Sequence, residues 1–272
     1  TCFELLSEGR KLADDLGVEL CGLLLGDGVA EQAQELCHYG IDEVAVYDDP
    51  ALSFFRTDVF ACCIEDYIRA CRPSVVLIGA TSLGRSLAPR LSTRFHTGLT
   101  ADCTRLEMRE NTDLVQIRPA FGGNIMAQIV TPYTRPQFAT VRYKVMDGPV
   151  RNSQAQGRIV ARPLPKQAAA SGVSHVSTMP VSSEKTISDA EILVVGGRGL
   201  QKEADLEMVK ALASLLGGDW AVSRPLVEKG WATNARQIGL SGRTVRPRLI
   251  ITCGVSGAIQ FVAGMNHAGT II

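Results

Sequence analysis

Charge of one sign is missing from this sequence: 28 Lys and Arg offset 28 Asp and Glu, for a formal net charge of +0. No general attraction to nucleic acid or to an anionic membrane follows, so neither is expected as a partner. Long apolar runs are also lacking. None approaches the roughly 20 residues that cross a bilayer, so no membrane insertion is expected. The eight cysteines, at 2, 21, 37, 62, 63, 71, 103 and 253, contain no C-x-x-C pair. That argues against zinc, iron–sulfur and disulfide frameworks, and for buried thiols in a reducing, cytoplasmic interior.

Signatures of common catalytic sites are absent too. A nucleophile elbow needs glycine two residues after the serine. Ser256 has Ala258 there and Ser241 has Arg243. His267 is the one histidine beyond residue 186, too little for a triad. Gly197-Arg198-Gly199 is succeeded by Lys202 where the dinucleotide fingerprint has glycine, and no Walker loop occurs. No catalytic residue and no metal ligand set is assigned; His175 keeps metal-ligand spacing with no other donor.

What is present is a hydrophobic content of 46% over 272 residues, enough for one large or two ordinary domains. Helical patterns at Phe3–Leu16, Glu31–Cys37 and Phe55–Arg69 alternate with apolar runs at Val18–Leu25, Val44–Tyr47 and Val75–Ile78. Short runs of continuous apolar character predict parallel strands buried on both faces, hence an α/β fold. Gly79-Ala80-Thr81 and Gly84-Arg85 then read as a tight turn, with a nucleotide edge as the rival reading. From Thr100 to Met146 the texture becomes β-rich. Leu114–Ile117, Met126–Val130 and Phe138–Tyr143 predict an appended antiparallel hairpin set, with Gly122-Gly123-Asn124 as a turn. Its Arg118, Arg135 and Arg142 suggest a partner surface.

The boundaries read as an N-terminal α/β domain at 1–165, a linker at 166–186 and a second α/β domain at 187–272. In the last, Ile192–Val195, Trp220–Val222, Leu249–Cys253 and a run begun at Thr270 predict strands, each with small or polar residues at its carboxyl end. Ala204, Met208, Val209, Leu212, Leu215 and Leu216 mark one helix face. Two Gly-x-Ser-Gly turns, at 239–242 and 254–257, flank the third strand, and the second opens a helix-like segment. Glycine lets backbone approach a ligand, so this edge predicts a phosphate-bearing cofactor. Arg198 and Arg224 both follow strand ends, one placed to neutralise a diphosphate and the other to lie over a redox-active ring. The first residues are already helical and the last begin a β-branched run, so the text reads as part of a longer protein.

GGRGL at 196–200, SRPLVEKGW at 223–231, GLSGRTVRP at 239–247 and GVSGAIQF at 254–261 resemble the carboxyl-terminal FAD domain of the electron-transferring flavoprotein α subunit (ETF α / FixB). IGATSLGRSLAPRLSTRFHTGLTADCT at 78–104 and RPAFGGN at 118–124 are similar to its first, partner-facing domain. The resemblance implies a nucleotide-binding-like parallel-sheet domain, then a Rossmann-like FAD-binding domain that is incomplete here. It implies FAD as cofactor, a β subunit as partner in a heterodimer, and an acyl-CoA or other flavin dehydrogenase as electron source, with a bifurcating complex as one setting. The alternative is a nucleotide-binding regulatory or scaffold module without redox use.

By position, Arg198 and Ser223 would contact phosphate or ribityl groups, and Arg224 would stabilise the reduced isoalloxazine. Ile238, Gly239, Leu240 and Ser241 would line the ring, while Ser256, Gly257, Ala258, Ile259 and Gln260 would wrap the diphosphate. Leu240-Ser241 stands where the family has Gln-Thr, and Phe261 where it has a histidine near the flavin C2 carbonyl. Phenylalanine donates no hydrogen bond, which implies weaker stabilisation of the one-electron-reduced flavin anion.

Overall fold

The computed structural model describes residues 1–120, 125–179 and 186–272. The Gly122-Gly123-Asn124 turn and most of the second half of the expected linker lie outside the described residues. The chain forms two compact units, one of residues 1–118 and 127–178, the other of 119–126 and 179–272.

In the first unit, α1 (Cys2–Leu16), α2 (Ala30–Cys37) and α3 (Thr57–Cys71) alternate with β1 (Cys21–Gly26), β2 (Glu43–Asp48) and β3 (Val75–Gly79). After these come α4 (Ser82–Arg94), β4 (Leu99–Cys103), β5 (Arg105–Met108), β6 (Leu114–Ala120), β7 (Ile125–Ile129), β8 (Gln137–Val141), β9 (Arg158–Ala161) and α5 (Lys166–Ala169), of which the end of β6 and the start of β7 fall in 119–126. The parallel ladders β1-β2-β9 and β3-β8-β4 carry the alternating pattern that the apolar runs announced. Only β5, β6 and β7 form the separate sheet, and β5 pairs with β6 antiparallel.

The expected hairpin set is therefore corrected at one member. Residues 137–141 lie between β3 and β4, parallel to both, and are buried at every position. A strand covered on both faces has no alternation to distinguish it from a hairpin arm. Residues 166–169, at the start of the expected linker, are a helical turn whose Ala168 is buried against Val59, Cys63 and Tyr67 of α3. Gly84 explains the turn after β3: a Cβ there would lie 1.9 Å from the Gly79 carbonyl oxygen, and Thr81 caps α4 by accepting from the Gly84 amide at 3.2 Å. That is the tight-turn reading.

The second unit comprises β10 (Ile192–Gly196), α6 (Leu206–Leu215), β11 (Asp219–Ser223), α7 (Arg224–Glu228), β12 (Gln237–Ile238), β13 (Leu249–Cys253), α8 (Ile259–Val262) and β14 (Thr270–Ile271). One five-stranded parallel sheet runs β12-β11-β10-β13-β14. Side chains alternate across it as a pleat requires. Leu193 and Val195 join Ala221, Ile238, Ile250, Phe261 and Met265 on one face, and Val194 and Val222 join Leu206, Val209, Ala213 and Leu226 on the other. Each of these side chains larger than alanine contributes about 1.5–3 kcal/mol by leaving water. The buried stripe of α6 is Leu206, Val209 and Ala213; Met208 and Leu215, expected on it, face solvent at 65% and 85% exposure. Gly217, at φ 66, ends the helix in the left-handed conformation.

Candidate functional site

The first strand of the second unit, β10, leads through α6 and α7 to β11 and β12 on one side, and the chain then crosses to β13 on the other. That order reverses beside β10, and open parallel sheets bind ligands at the carboxyl ends flanking such a reversal. Registers fix which residues meet there. Gly196 lies opposite both Val222 and Cys253, and Ser223 lies opposite Ile238, so the strands end nearly level.

The loops beyond the strands are packed backbone to backbone. The amides of Gly197 and Gly199 donate to the carbonyls of Cys253 and Gly254, each at 2.8 Å. A Cβ on Gly197 would come within 2.3 Å of the Gly254 carbonyl oxygen, and one on Gly199 within 2.8 Å of the Gly254 Cα. At the far side, the Leu240 amide donates to the Gln260 carbonyl at 2.8 Å, and a Cβ on Gly239 (φ 136) would lie 2.8 Å from that oxygen. The segment after β13 thus touches the loop after β10 and the loop after β12. The end of β11 lies between β10 and β12.

This brings the predicted residues Arg198, Ser223, Arg224, Gly239, Leu240, Ser241 and 256–260 to one edge. Arg198 and Arg224 are exposed; Arg224 Nε donates to Glu228 Oε1 at 2.8 Å within α7. Ser241 is exposed and its Oγ accepts from the buried Gln237 Nε2 at 3.0 Å, which orients the hydroxyl. Ser256, Gly257, Ala258, Ile259 and Gln260 are all exposed, and Gly257 takes φ 69. The helical segment expected at Ser256 begins later: Ala258 is its N-cap and α8 has 4 residues. Gly257 and Ala258 hold non-helical backbone, so the approach to α8 is an open loop.

Ile238 and Phe261 lie deeper than the resemblance implied, at 1% and 7% exposure within one apolar cluster with Val245, Ile250 and Met265. Their side chains support the edge from below. Residues not assigned to this site from the sequence are Gly197 and Gly199, which with Gly254 of the second Gly-x-Ser-Gly turn let the loops close together by lacking a Cβ, and Arg243, whose Nε donates to the Ala235 carbonyl at 3.1 Å. The glycines after β10, β12 and β13 were the available signal. A groove lined by Glu191, Ile192, Arg248, Leu249, Gly269 and Thr270 lies at the amino ends of these strands, the wrong edge for this fold.

Of the three arginines that suggest a partner surface in the first unit, Arg142 does not face outward, whereas Arg135 is exposed and Arg118 partly so. Arg142 is buried and bonded to Asp102, while Arg135 donates to the carbonyls of Thr131, Pro132 and Thr134 and to Asp113. Among the described residues no group of three His, Cys, Asp or Glu could hold a metal, and His175 stacks on Phe54 at 3.6 Å. No described helix is long and apolar enough to cross a membrane.

Residues 1–167 match the model of the electron transfer flavoprotein domain, and residues 186–266 that of the electron transfer flavoprotein FAD-binding domain. The chain is 50% identical to the lactate dehydrogenase (NAD(+),ferredoxin) subunit LctC of Acetobacterium woodii, over 99% of this chain and 65% of that protein. It is 43% identical to an electron transfer flavoprotein subunit alpha of Thermoanaerobacterium thermosaccharolyticum, over 99% of this chain and 82% of the other. Protein FixB of Clostridium saccharobutylicum is 45% identical, over 99% and 80%.

Proposed function

The chain belongs to the electron transfer flavoprotein α family, and from that premise we propose that it is the FAD-bearing part of an electron carrier completed by a β subunit. The observation that carries this reading is the meeting of Gly197 and Gly199 with Gly254 where the strand order reverses. A side chain at any of these glycines would push the two loops apart, so the residues present fit an edge held close enough for a dinucleotide to lie along it.

In this reading the exposed amides of 256–258 and the Arg198 guanidinium bind the diphosphate. Ser223 is buried at the mouth and contacts the ribityl chain. Gly239, Leu240 and Ser241 line the ring, with Ile238 and Phe261 as the apolar base beneath. FAD supplies the one- and two-electron chemistry when bound. Arg224 places a fixed cation where the ring gains negative charge on reduction, and so raises its potential. No general acid or base is required of the chain.

Similarity to a subunit of a lactate dehydrogenase that uses NAD(+) and ferredoxin supports placing this carrier in such an assembly, beside a flavin dehydrogenase that oxidises a hydroxy acid. Reconstitution tests the core of the proposal. The purified chain with a β-type partner should take up FAD and show its visible absorption bands, which bleach on reduction. A protein that stays colourless after FAD is added would overturn it.

A further inference from the structure

In the first unit, the carboxyl edge of the sheet β3-β8-β4 gathers three guanidiniums about one carboxylate. Arg142, just past β8, is 8% exposed and donates to Asp102 from Nε at 3.2 Å and from Nη2 at 2.5 Å. Arg85, in the first turn of α4, approaches the same carboxylate at 3.8 Å and is 61% exposed. Arg118 arrives from β6. The Thr104 amide donates to the Ile117 carbonyl and the Arg142 amide to the Cys103 carbonyl, each at 2.9 Å, so these backbones are stitched together beside Asp102. The Arg118 charge is felt at both Asp102 and Cys103.

One aspartate cannot neutralise three guanidiniums. Arg142 takes the bidentate contact, leaving Arg85 with a long one and Arg118 with no hydrogen bond among the described residues. Two further features mark the place as built. Asp102 is held at φ 62, with its amide donating to Thr140 Oγ1 at 2.8 Å, a conformation that non-glycine residues adopt at a cost. Gln116 precedes Arg118 by two on β6, hence on the same strand face, and is fully buried with neither amide atom hydrogen-bonded. Unsatisfied buried amides are rare and call for a polar companion.

We propose that Arg85 and Arg118 form a second anion site that takes a phosphate-type oxyanion, free or carried on a nucleotide, with the Asp102–Arg142 pair as its fixed floor. Two guanidinium forks offer the charge and the donors that a phosphate dianion matches. The inference stands on the geometry about Asp102, and its test takes the flavin reading only to keep the glycine-lined edge occupied against ADP.

The test is calorimetric titration of the FAD-loaded full chain with inorganic phosphate at constant ionic strength, repeated with ADP. Saturable binding is expected. It should weaken at least about ten-fold in the Arg85→Gln/Arg118→Gln double variant and persist in the charge-matched Lys11→Gln/Lys166→Gln variant. Tighter binding of ADP than of phosphate assigns the anion to a nucleotide; equal binding assigns it to free phosphate. Absence of saturable binding, or equal binding in the arginine double variant and the parent, overturns the proposal. Unchanged flavin absorbance in the double variant locates any loss at this edge.

Discussion

Gly199 and Gly254 touch through backbone alone: the Gly199 amide reaches the Gly254 carbonyl at 2.8 Å, and a Cβ on Gly254 would lie 3.0 Å from the Gly199 Cα. Two loops from strands on either side of the switch point are thereby held as one surface, and the contact tolerates no side chain.

Gly197→Ala tests that surface. Its Cβ would meet the Gly254 carbonyl oxygen at 2.3 Å, a backbone atom that cannot rotate away, so the loops must part. FAD affinity should fall at least about ten-fold, read by flavin fluorescence quenching, with a stability loss of about 1–3 kcal/mol. Gly257→Ala is the comparison, because nothing lies within 4 Å of its Cβ and the cost is conformational, about 1–2 kcal/mol at φ 69. Equal FAD affinity in Gly197→Ala and the parent would remove the cradle from the account.

Arg224→Ala should separate redox tuning from folding. Its ion pair with Glu228 is exposed on both sides, at 65% and 60%, and pairs of that kind are worth about 0–1 kcal/mol. Denaturant midpoints should therefore barely move. The bound flavin's midpoint potential should become more negative, since reduction loses its neighbouring cation. An unmoved potential would strip Arg224 of its place over the ring.

Much of this site was legible because glycine and arginine recur after apolar runs, and a parallel sheet turns that recurrence into a shared edge. What escaped has physical causes. Residues 99–103, LTADC, and 158–161, RIVA, are strands that are short or polar, held by ladders on distant neighbours rather than by their own pattern. The two-residue β12 is a strand only because Ser223 and Ile238 pair. Apolar identity alone places Met208 and Leu215 on a buried face, because it does not show which side of a helix meets the sheet. The roles of Arg135 and Arg142 were hidden because their partners, Asp113 and Asp102, are 22 and 40 residues away.

Phe261→His introduces the residue that the resemblance implies at a position that this chain fills with an apolar core ring. Phe261 packs with Ile238, Val245 and Met265, where an imidazole brings polar nitrogens into an apolar cluster. A stability loss of about 1–3 kcal/mol is expected by denaturant unfolding. Redox titration of the same variant reads whether the new ring also reaches the flavin. A variant as stable as the parent would mean that position 261 opens to the ligand more than its burial indicates.

Asp102 should contribute to the acid sensitivity of the fold. Burial by itself would raise its pKa, but hydrogen bonds from Arg142, with the charges of Arg142, Arg85 and Arg118, outweigh that and hold the carboxyl below the ordinary aspartate value. A depressed folded-state pKa contributes stability that is complete above the unfolded value of about 3.9 and is lost as pH falls through the folded value. At neutral pH, Asp102→Asn leaves the buried Arg142 without its counter-charge and should cost about 2–3 kcal/mol, below the figure for a fully buried pair because Asp102 is a quarter exposed. On acidification the parent loses the same interaction while the variant has nothing left to titrate there. The gap between the two unfolding midpoints, measured from pH 7 downward, should therefore narrow below about pH 4. A gap constant with pH would mean that the pair acts through packing and hydrogen-bond geometry, not through the charge on Asp102.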